Sequence, residues 1–309
     1  VSLVMPIAEA EAAYASLGGD AIGVLLRYDD EQPEAVHTSR LVLRADRAVT
    51  GEVGVAVIGA GAFASAWHLP SLKRLPGVSI AAVAARTGPT AQRAGSRFGA
   101  GYCTTEVEDI LQDARVHAVV ISTRHHLHAE QCIAAARAGK HIFVEKPLAL
   151  TVEECEAVCA AVEEAGVLLT VGFNRRFAPT AQALHAALEK ATGPRMLTYR
   201  CNAGALPPGH WTMDPEVGGG RIVGECVHFY DLCCWLCGGA PEAVEAQRIV
   251  SDDARLNAED NLHTLLRWPG GHTAAITYTA LGHTGLGKER VEVFAGGGAA
   301  VLDEYRTLA

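Results

Sequence analysis

The segment Val55-Ala56-Val57-Ile58-Gly59-Ala60-Gly61-Ala62-Phe63-Ala64 constrains the fold more than any other: an apolar, β-branched run passes straight into a glycine turn that opens a helix. Gly59 permits the tight turn, Gly61 lacks the Cβ that would block a phosphate, and Ala64 is small enough for the helix to pack on its strand. The unpaired N–H groups at the start of such a helix face an anion, so the segment, Ala62 and Phe63 included, predicts a pyrophosphate site. A lone G-x-G-x-x-A also occurs as a plain turn, and its neighbours decide. Residues 53–58 read as a buried strand, 63–75 as a helix and 78–84 as a second buried strand.

Strand and helix signals continue to alternate as far as residue 172. Further β-branched runs lie at 116–122, 140–144 and 167–171, with helical stretches at 129–138 and 152–165. The pattern then changes to one helix at 179–189 followed by strand-like segments at 196–201, 244–250, 262–268, 273–279, 291–294 and 300–302. The predicted class is α/β: a Rossmann dinucleotide-binding domain over 51–172, then an α+β domain over 173–309 with a mainly antiparallel open sheet. One face of that sheet is expected to meet a partner subunit, making a homo-oligomer, a dimer or tetramer.

At 309 residues, with 49% hydrophobic and 20% charged, the chain has ample material for two globular domains. A formal charge of −9 without a long Lys/Arg run argues against nucleic acid as a partner. No apolar run reaches the roughly 18 residues of a membrane span, and no basic-then-apolar leader is visible, so no membrane partner and a cytoplasmic location are expected. The nine cysteines lack a disulfide rhythm and fit reduced thiols. Cys234 and Cys237 form a C-x-x-C inside an apolar helical pattern with no second pair, which reads as packing. His125, His126 and His128 follow a strand end, where polar side chains face a cofactor; no metal is expected.

Four ordered motifs carry a resemblance: the glycine turn; the loop Ser122-Thr123-Arg124-His125-His126-Leu127-His128, where relatives tend to read T-P-N-x-x-H; Glu145-Lys146-Pro147 leading on to Gly172-Phe173-Asn174-Arg175-Arg176-Phe177; and the segment from Gly218 through Glu225 and His228 to Asp231. Over residues 53 to 308 the chain resembles the glucose-fructose oxidoreductase/inositol dehydrogenase/rhizopine catabolism (GFO/IDH/MocA) family. The resemblance implies hydride transfer between NAD(P) and a hydroxyl-bearing carbon of a sugar, sugar derivative or cyclitol. Residues 1–50 stand apart as tail and linker. Their helix at 6–17 and strand at 21–28, stopped between by Gly18-Gly19, resemble the C-terminal end of medium-chain zinc-dependent alcohol dehydrogenases, as if a fused dehydrogenase had been cut. The other end also stops early, since relatives continue beyond Tyr305.

The resemblance supplies roles that the chemistry makes sensible. Lys146, at the carboxyl end of a parallel strand, would hydrogen-bond the reacting hydroxyl beside the nicotinamide, and His228 would take its proton, because imidazole titrates near working pH. Glu145 would orient the cofactor or pair with Lys146, and Ser122, Thr123, His125 and His128 would line the cofactor. Many relatives carry Asp four residues before the histidine; here that position is Gly224, and Glu225 next door would point about 100° away on a regular helix. Asp231, one turn on, would orient the imidazole or face solvent. At the end of the second strand Arg86 and Thr87 stand where an NAD enzyme usually has a carboxylate, which favours NADP, with NAD as the alternative. Asn174, Arg175, Glu225, His228 and Trp211 are the expected substrate contacts, with Arg175 and Arg176 equally suited to ion pairs. Two other readings are a catalytically silent NADP(H) sensor and a reductase of an imine or unsaturated ring.

Overall fold

The computed structural model describes residues 3–17, 23–27, 39–44, 52–207, 209–250 and 260–309. Val1–Ser39 and Arg40–Ala309 form separate compact units. In the first, β1 (Leu3–Pro6) pairs in parallel with β2 (Val24–Arg27), and a short turn of 3-10 helix and α1 (Ala10–Ala15) follow β1. The helix starts later than the sequence pattern suggests. Proline biases the residue before it toward extended backbone, so the strand runs through Met5 to Pro6. Gly18-Gly19, Ala21 and Tyr28 lie outside the described residues.

The second unit begins with a seven-stranded sheet. Its elements are β3 (Arg40–Val42), β4 (Val53–Ile58), α2 (Ala62–Ala66), α3 (His68–Leu72), β5 (Val78–Ala84), α4 (Gly88–Phe98), β6 (Tyr102–Thr104), α5 (Glu108–Leu111), β7 (Ala118–Ile121), α6 (His128–Arg137), β8 (His141–Val144), α7 (Val152–Ala165) and β9 (Leu169–Val171). The order β3-β6-β5-β4-β7-β8-β9 is parallel throughout except at β3. Hydrophobic clusters on the two faces bury the central strands, which is why β4 and β7 read as unbroken apolar runs. The chain leaves β4 toward β5 on one side and returns at β7 on the other. The carboxyl ends of β4 and β7 therefore flank the crevice where such sheets bind ligands.

Two expectations need correction here. The helix over 63–75 is two helices, broken at Trp67, whose φ of −121° leaves the helical region. Pro70 is the reason: it has no N–H, and its ring would strike the carbonyl of Ala66 in a continuous helix, whereas the first turn of α3 accommodates it. Residues 40–42, assigned to the tail, instead form an antiparallel edge strand on β6, and Leu43 packs into the core beside Gly95. This strand covers the edge that β6 would otherwise expose.

The rest of the unit contains α8 (Pro179–Leu188), β10 (Arg195–Asn202), α9 (Val227–Cys237), β11 (Ala243–Arg248), β12 (Leu262–Arg267), β13 (Thr273–Thr279), β14 (Glu289–Ala295), β15 (Gly298–Asp303) and β16 (Thr307–Leu308). The sheet order is β11-β12-β13-β10-β14-β15-β16, antiparallel apart from the β10–β13 pair. Leu197, Tyr199 and Cys201 of β10 face a core shared with α8 and α9. Alternation turns Met196, Leu265 and Phe294 to the other face, where they are 61%, 54% and 47% exposed and leave an open apolar surface. Cys233 and Cys237 are buried in α9, and burial pushes both thiols up, as packing residues require. Among the described residues no helix is long and apolar enough to cross a membrane.

Candidate active site

A cleft of about 780 Å³ opens at the carboxyl ends of β4, β5, β7 and β8. Every residue assigned to the cofactor from sequence lines it, from Gly59, Gly61, Ala62, Phe63 and Ala64 to Lys146. Gly59 has φ +89°, and a Cβ there would lie 2.6 Å from the Ser122 carbonyl oxygen, so both conformation and space demand glycine. At Gly61 an added Cβ would meet only the Gly59 oxygen at 3.9 Å and would otherwise fill open cleft. This is a cradle for a group that approaches the backbone closely. The first N–H groups of α2 have no partner within their own helix and face that space, and the donor set fits the pyrophosphate of a dinucleotide. At the far end Arg86 and Thr87 are exposed; Arg86 has no partner among the described residues, and the Thr87 hydroxyl donates to Thr90 Oγ1 at 2.8 Å.

The histidines behave differently from one another. His128 is fully buried, with Nδ1 2.7 Å from the Pro147 carbonyl and Nε2 3.2 Å from that of Thr123. With a single N–H on the neutral ring, the shorter contact marks Nδ1 as the donor to Pro147, which ties the start of α6 to the loop after β8. His125 Nδ1 lies 2.8 Å from the Gly218 carbonyl, and its ring packs edge-on against Trp211 at 4.7 Å. Exposed His126 reaches the Val217 carbonyl from both its backbone and its ring. Glu145 pairs with neither Lys146 nor open space: His68 Nε2 lies 2.9 Å from its Oε1, and that imidazole packs edge-on between Phe63 and Phe143. His68 was missed from sequence because only the break at Trp67 turns it toward β8. Arg124, also missed, lines the cleft with its guanidinium over Trp211.

Both acid–base candidates lie at the start of α9. A π-helical turn over Ile222–Cys226 precedes α9, and Lys146 Nζ donates to the carbonyl of Gly224 at 2.9 Å. Burial pushes the Lys146 ammonium down, against the opposing pull of Glu145 and Glu225. His228 is 6% exposed, and its Nδ1 is buried without a hydrogen-bond partner. Burial first, then the charges of Arg175 and Lys146, drive its pKa down to about 2, so the imidazole is neutral and, contrary to the reason given for it from sequence, does not titrate near working pH. A buried polar atom without a partner is costly, and a ligand hydroxyl that reached Nδ1 would satisfy it.

Several expected substrate groups are held elsewhere. Glu225 accepts from Lys288 Nζ and Tyr278 OH, each at 2.6 Å, and from Arg221 at 3.2 Å; these bonds outweigh burial and hold its pKa at about 2. It therefore does not replace the missing carboxylate of position 224 beside the histidine. Arg175 makes a two-pronged ion pair with Glu289, which also accepts from Tyr199 OH. Asp231 neither orients His228 nor faces solvent, because Arg176 clamps it. Asn174 is exposed on the turn after β9, and Trp211 lines the cleft. Among the described residues no group of three or more His, Cys, Asp or Glu is placed to hold a metal ion.

Residues 53–173 match the oxidoreductase family with the NAD-binding Rossmann fold, and residues 190–301 match the GFO/IDH/MocA C-terminal domain. The chain is 31% identical over 221 residues to 1,5-anhydro-D-fructose reductase of Ensifer adhaerens, covering 70% of this chain and 66% of the relative. It is 34% identical over 171 residues to levoglucosan dehydrogenase of Pseudarthrobacter phenanthrenivorans, covering 53% of this chain and 44% of the relative. The chain thus spans less than two thirds of these curated relatives. A solved levoglucosan dehydrogenase in complex with NADH and levoglucosan superposes with a TM-score of 0.72 at 28% identity, covering 82% of this chain and 74% of the other.

Proposed function

Because the chain belongs to the GFO/IDH/MocA oxidoreductase family, we propose that it transfers a hydride between a nicotinamide dinucleotide and a hydroxyl-bearing carbon of a sugar, sugar derivative or cyclitol. The observation that carries this reading is the orphaned Nδ1 of neutral His228, a ring close enough to the buried ammonium of Lys146 to feel its charge. Bound nicotinamide supplies the hydride acceptor or donor. Lys146 hydrogen-bonds the reacting oxygen and stabilises the negative charge that grows there; His228, a weak base in the empty protein, takes the hydroxyl proton only as a bound hydroxyl engages its ring and the proton is shared along that bond. Since burial and Lys146 both oppose a charged imidazole, His228 returns that proton readily when the reaction runs toward the alcohol.

The glycine turn, Ala62, Phe63, Ala64, Ser122 and Thr123 would hold the pyrophosphate and ribose, with Glu145 fixed by His68 against the nicotinamide end. Relatives solved with NADH support NAD as a cofactor. Arg86, unpaired where a ribose-reading carboxylate would stand, supports a preference for NADP. Besides His228, Trp211, which lines the cleft, and Asn174, exposed on the turn after β9, are read as substrate contacts. The open face carrying Met196, Leu265 and Phe294 is read as the surface of a homo-oligomer, and nine unpaired thiols suit the reducing cytoplasm. The β1–α1–β2 unit is read as the end of a fused alcohol dehydrogenase on the strength of Pro6-Ile7 through Tyr14. The test is turnover: NADP or NAD is mixed with myo-inositol, levoglucosan and other polyols, and reduced-nicotinamide absorbance is followed. Cofactor binding without any polyol-dependent signal would sink the enzyme reading.

A further inference from the structure

We propose that His125 is a specificity-determining substrate contact: with Nδ1–H donating to Gly218, its Nε2 lone pair accepts from a substrate hydroxyl beside Lys146, where a carboxylate on residue 224 would otherwise stand. Three observations meet at this point. A carbonyl oxygen can only accept, so the 2.8 Å contact to Gly218 places the proton of the neutral ring on Nδ1 and leaves Nε2 an acceptor. Burial drives the ring's pKa down to about 4, which keeps it neutral, and Nε2 has no protein partner among the described residues while the ring lines the cleft. A Cβ on residue 224 would lie 3.0 Å from His125 Cε1 and 3.4 Å from Nδ1.

The last distance couples two departures that are separate in sequence, histidine in the strand-end loop and glycine before His228. The imidazole fills the space that an acidic side chain at 224 would need, and Lys146 bonds the bare Gly224 carbonyl instead of a carboxylate. The pocket therefore presents a neutral acceptor from the dinucleotide-binding side in place of an anion from the other side. Trp211, packed edge-on against the ring, and the Gly218 carbonyl hold it in this orientation. A neutral acceptor favours a hydroxyl donor and, unlike a carboxylate, does not repel an anionic group on the substrate.

The inference rests on the proposed hydride transfer, and its test separates the two. Histidine ¹⁵N shifts of the free protein should show His125 protonated on Nδ1 and bare on Nε2; the reverse tautomer presents a donor and overturns the proposal whatever the substrate. Two variants then divide the roles of the ring. The amide of His125→Asn reaches as far as Nδ1 and keeps the Gly218 bond, but it loses the acceptor. His125→Gln extends an oxygen to the place of Nε2. Loss of one hydrogen bond predicts kcat/KM about tenfold lower for His125→Asn, mainly through KM, with His125→Gln recovering most of it. The probe is whichever of myo-inositol, levoglucosan or 1,5-anhydro-D-fructose the parent turns over best, and NADPH affinity should stay within about twofold of the parent in both variants. Parental kcat/KM in His125→Asn, or a cofactor affinity that falls in step with it, overturns the proposal. If the tautomer is as stated and no polyol is turned over, the hydride-transfer reading fails and takes the proposal with it.

Discussion

The two walls of the cleft are built on different principles. On the Rossmann side, Gly59, Gly61, Arg86, Ser122 and Lys146 project from strand ends, and their polar groups face the cleft or find only backbone partners. On the side of the second sheet, the charged groups near the cleft are already paired: Arg175 with Glu289, Arg176 with Asp231, and Glu225 with Lys288 and Arg221. His228 is the exception there, buried and without a partner for Nδ1. The lesson is that charge near a cleft does not mark a substrate group. Freedom from a protein partner does.

That contrast can be broken by substitution. The largest effect is expected where the walls meet: Lys146→Ala and His228→Ala should each lower single-turnover hydride transfer by about 10² to 10⁴ with cofactor affinity kept, and the double variant should be little worse than the poorer single one. A parental rate in His228→Ala would reduce the orphaned nitrogen to a packing fault. On the paired wall, Arg175→Met should instead cost stability, about 3 to 5 kcal/mol by denaturant unfolding, because it strands buried Glu289. If it folds as stably as the parent and loses only kcat/KM, Arg175 is a substrate group after all.

Within the unpaired wall, Gly61→Val should abolish most of the roughly 2.7 kcal/mol of stabilisation that a hundredfold excess of NADP(H) over its dissociation constant provides. An equal thermal shift in parent and variant would leave the glycine turn without a ligand. Arg86→Ala should weaken NADPH by about tenfold or more and NADH little, since a charge-assisted hydrogen bond is worth about 1.5 to 3 kcal/mol. Equal losses for both cofactors remove the preference.

A further effect is on pH. The folded-state pKa of His228 lies below that of a free histidine, near 6.5, so the unfolded chain binds the extra proton first. Its contribution is fully present above pH 6.5 and declines as pH falls, by up to about 1.4 kcal/mol per unit. Glu225, with its pKa also depressed, adds a loss of the same sign below about pH 4.5. His228→Asn should flatten the unfolding free energy between pH 6.5 and 5. An unchanged slope would mean that the ring is solvated.

Much of this was legible in the sequence where local rules act. The unbroken apolar run at 53–58, the 152–165 helix with its Thr151–Glu154 capping box, and the 273–279 strand all form where periodicity places them. Pro70 carried the signal for the helix break, although the surrounding apolar pattern masked it. The strand Arg40–Val42 carried almost none: three residues become a strand only because β6 offers an edge.

For the site, the sequence by itself determined which backbone must come close to a ligand, since glycine and strand-end geometry act within a few residues of one another. It also determined most of the dinucleotide-binding wall, because each contributing residue stands at the end of a strand that its own local pattern marks. Only the tertiary structure decided the other wall. Whether Arg175, Glu225 or Asp231 is free depends on partners as far away in the chain as Glu289, Lys288 and Arg176, and the link between His125 and Gly224 spans two sheets. Ion pairs and steric exclusion are properties of distance in space, and a linear reading has no measure of that distance until the chain has folded.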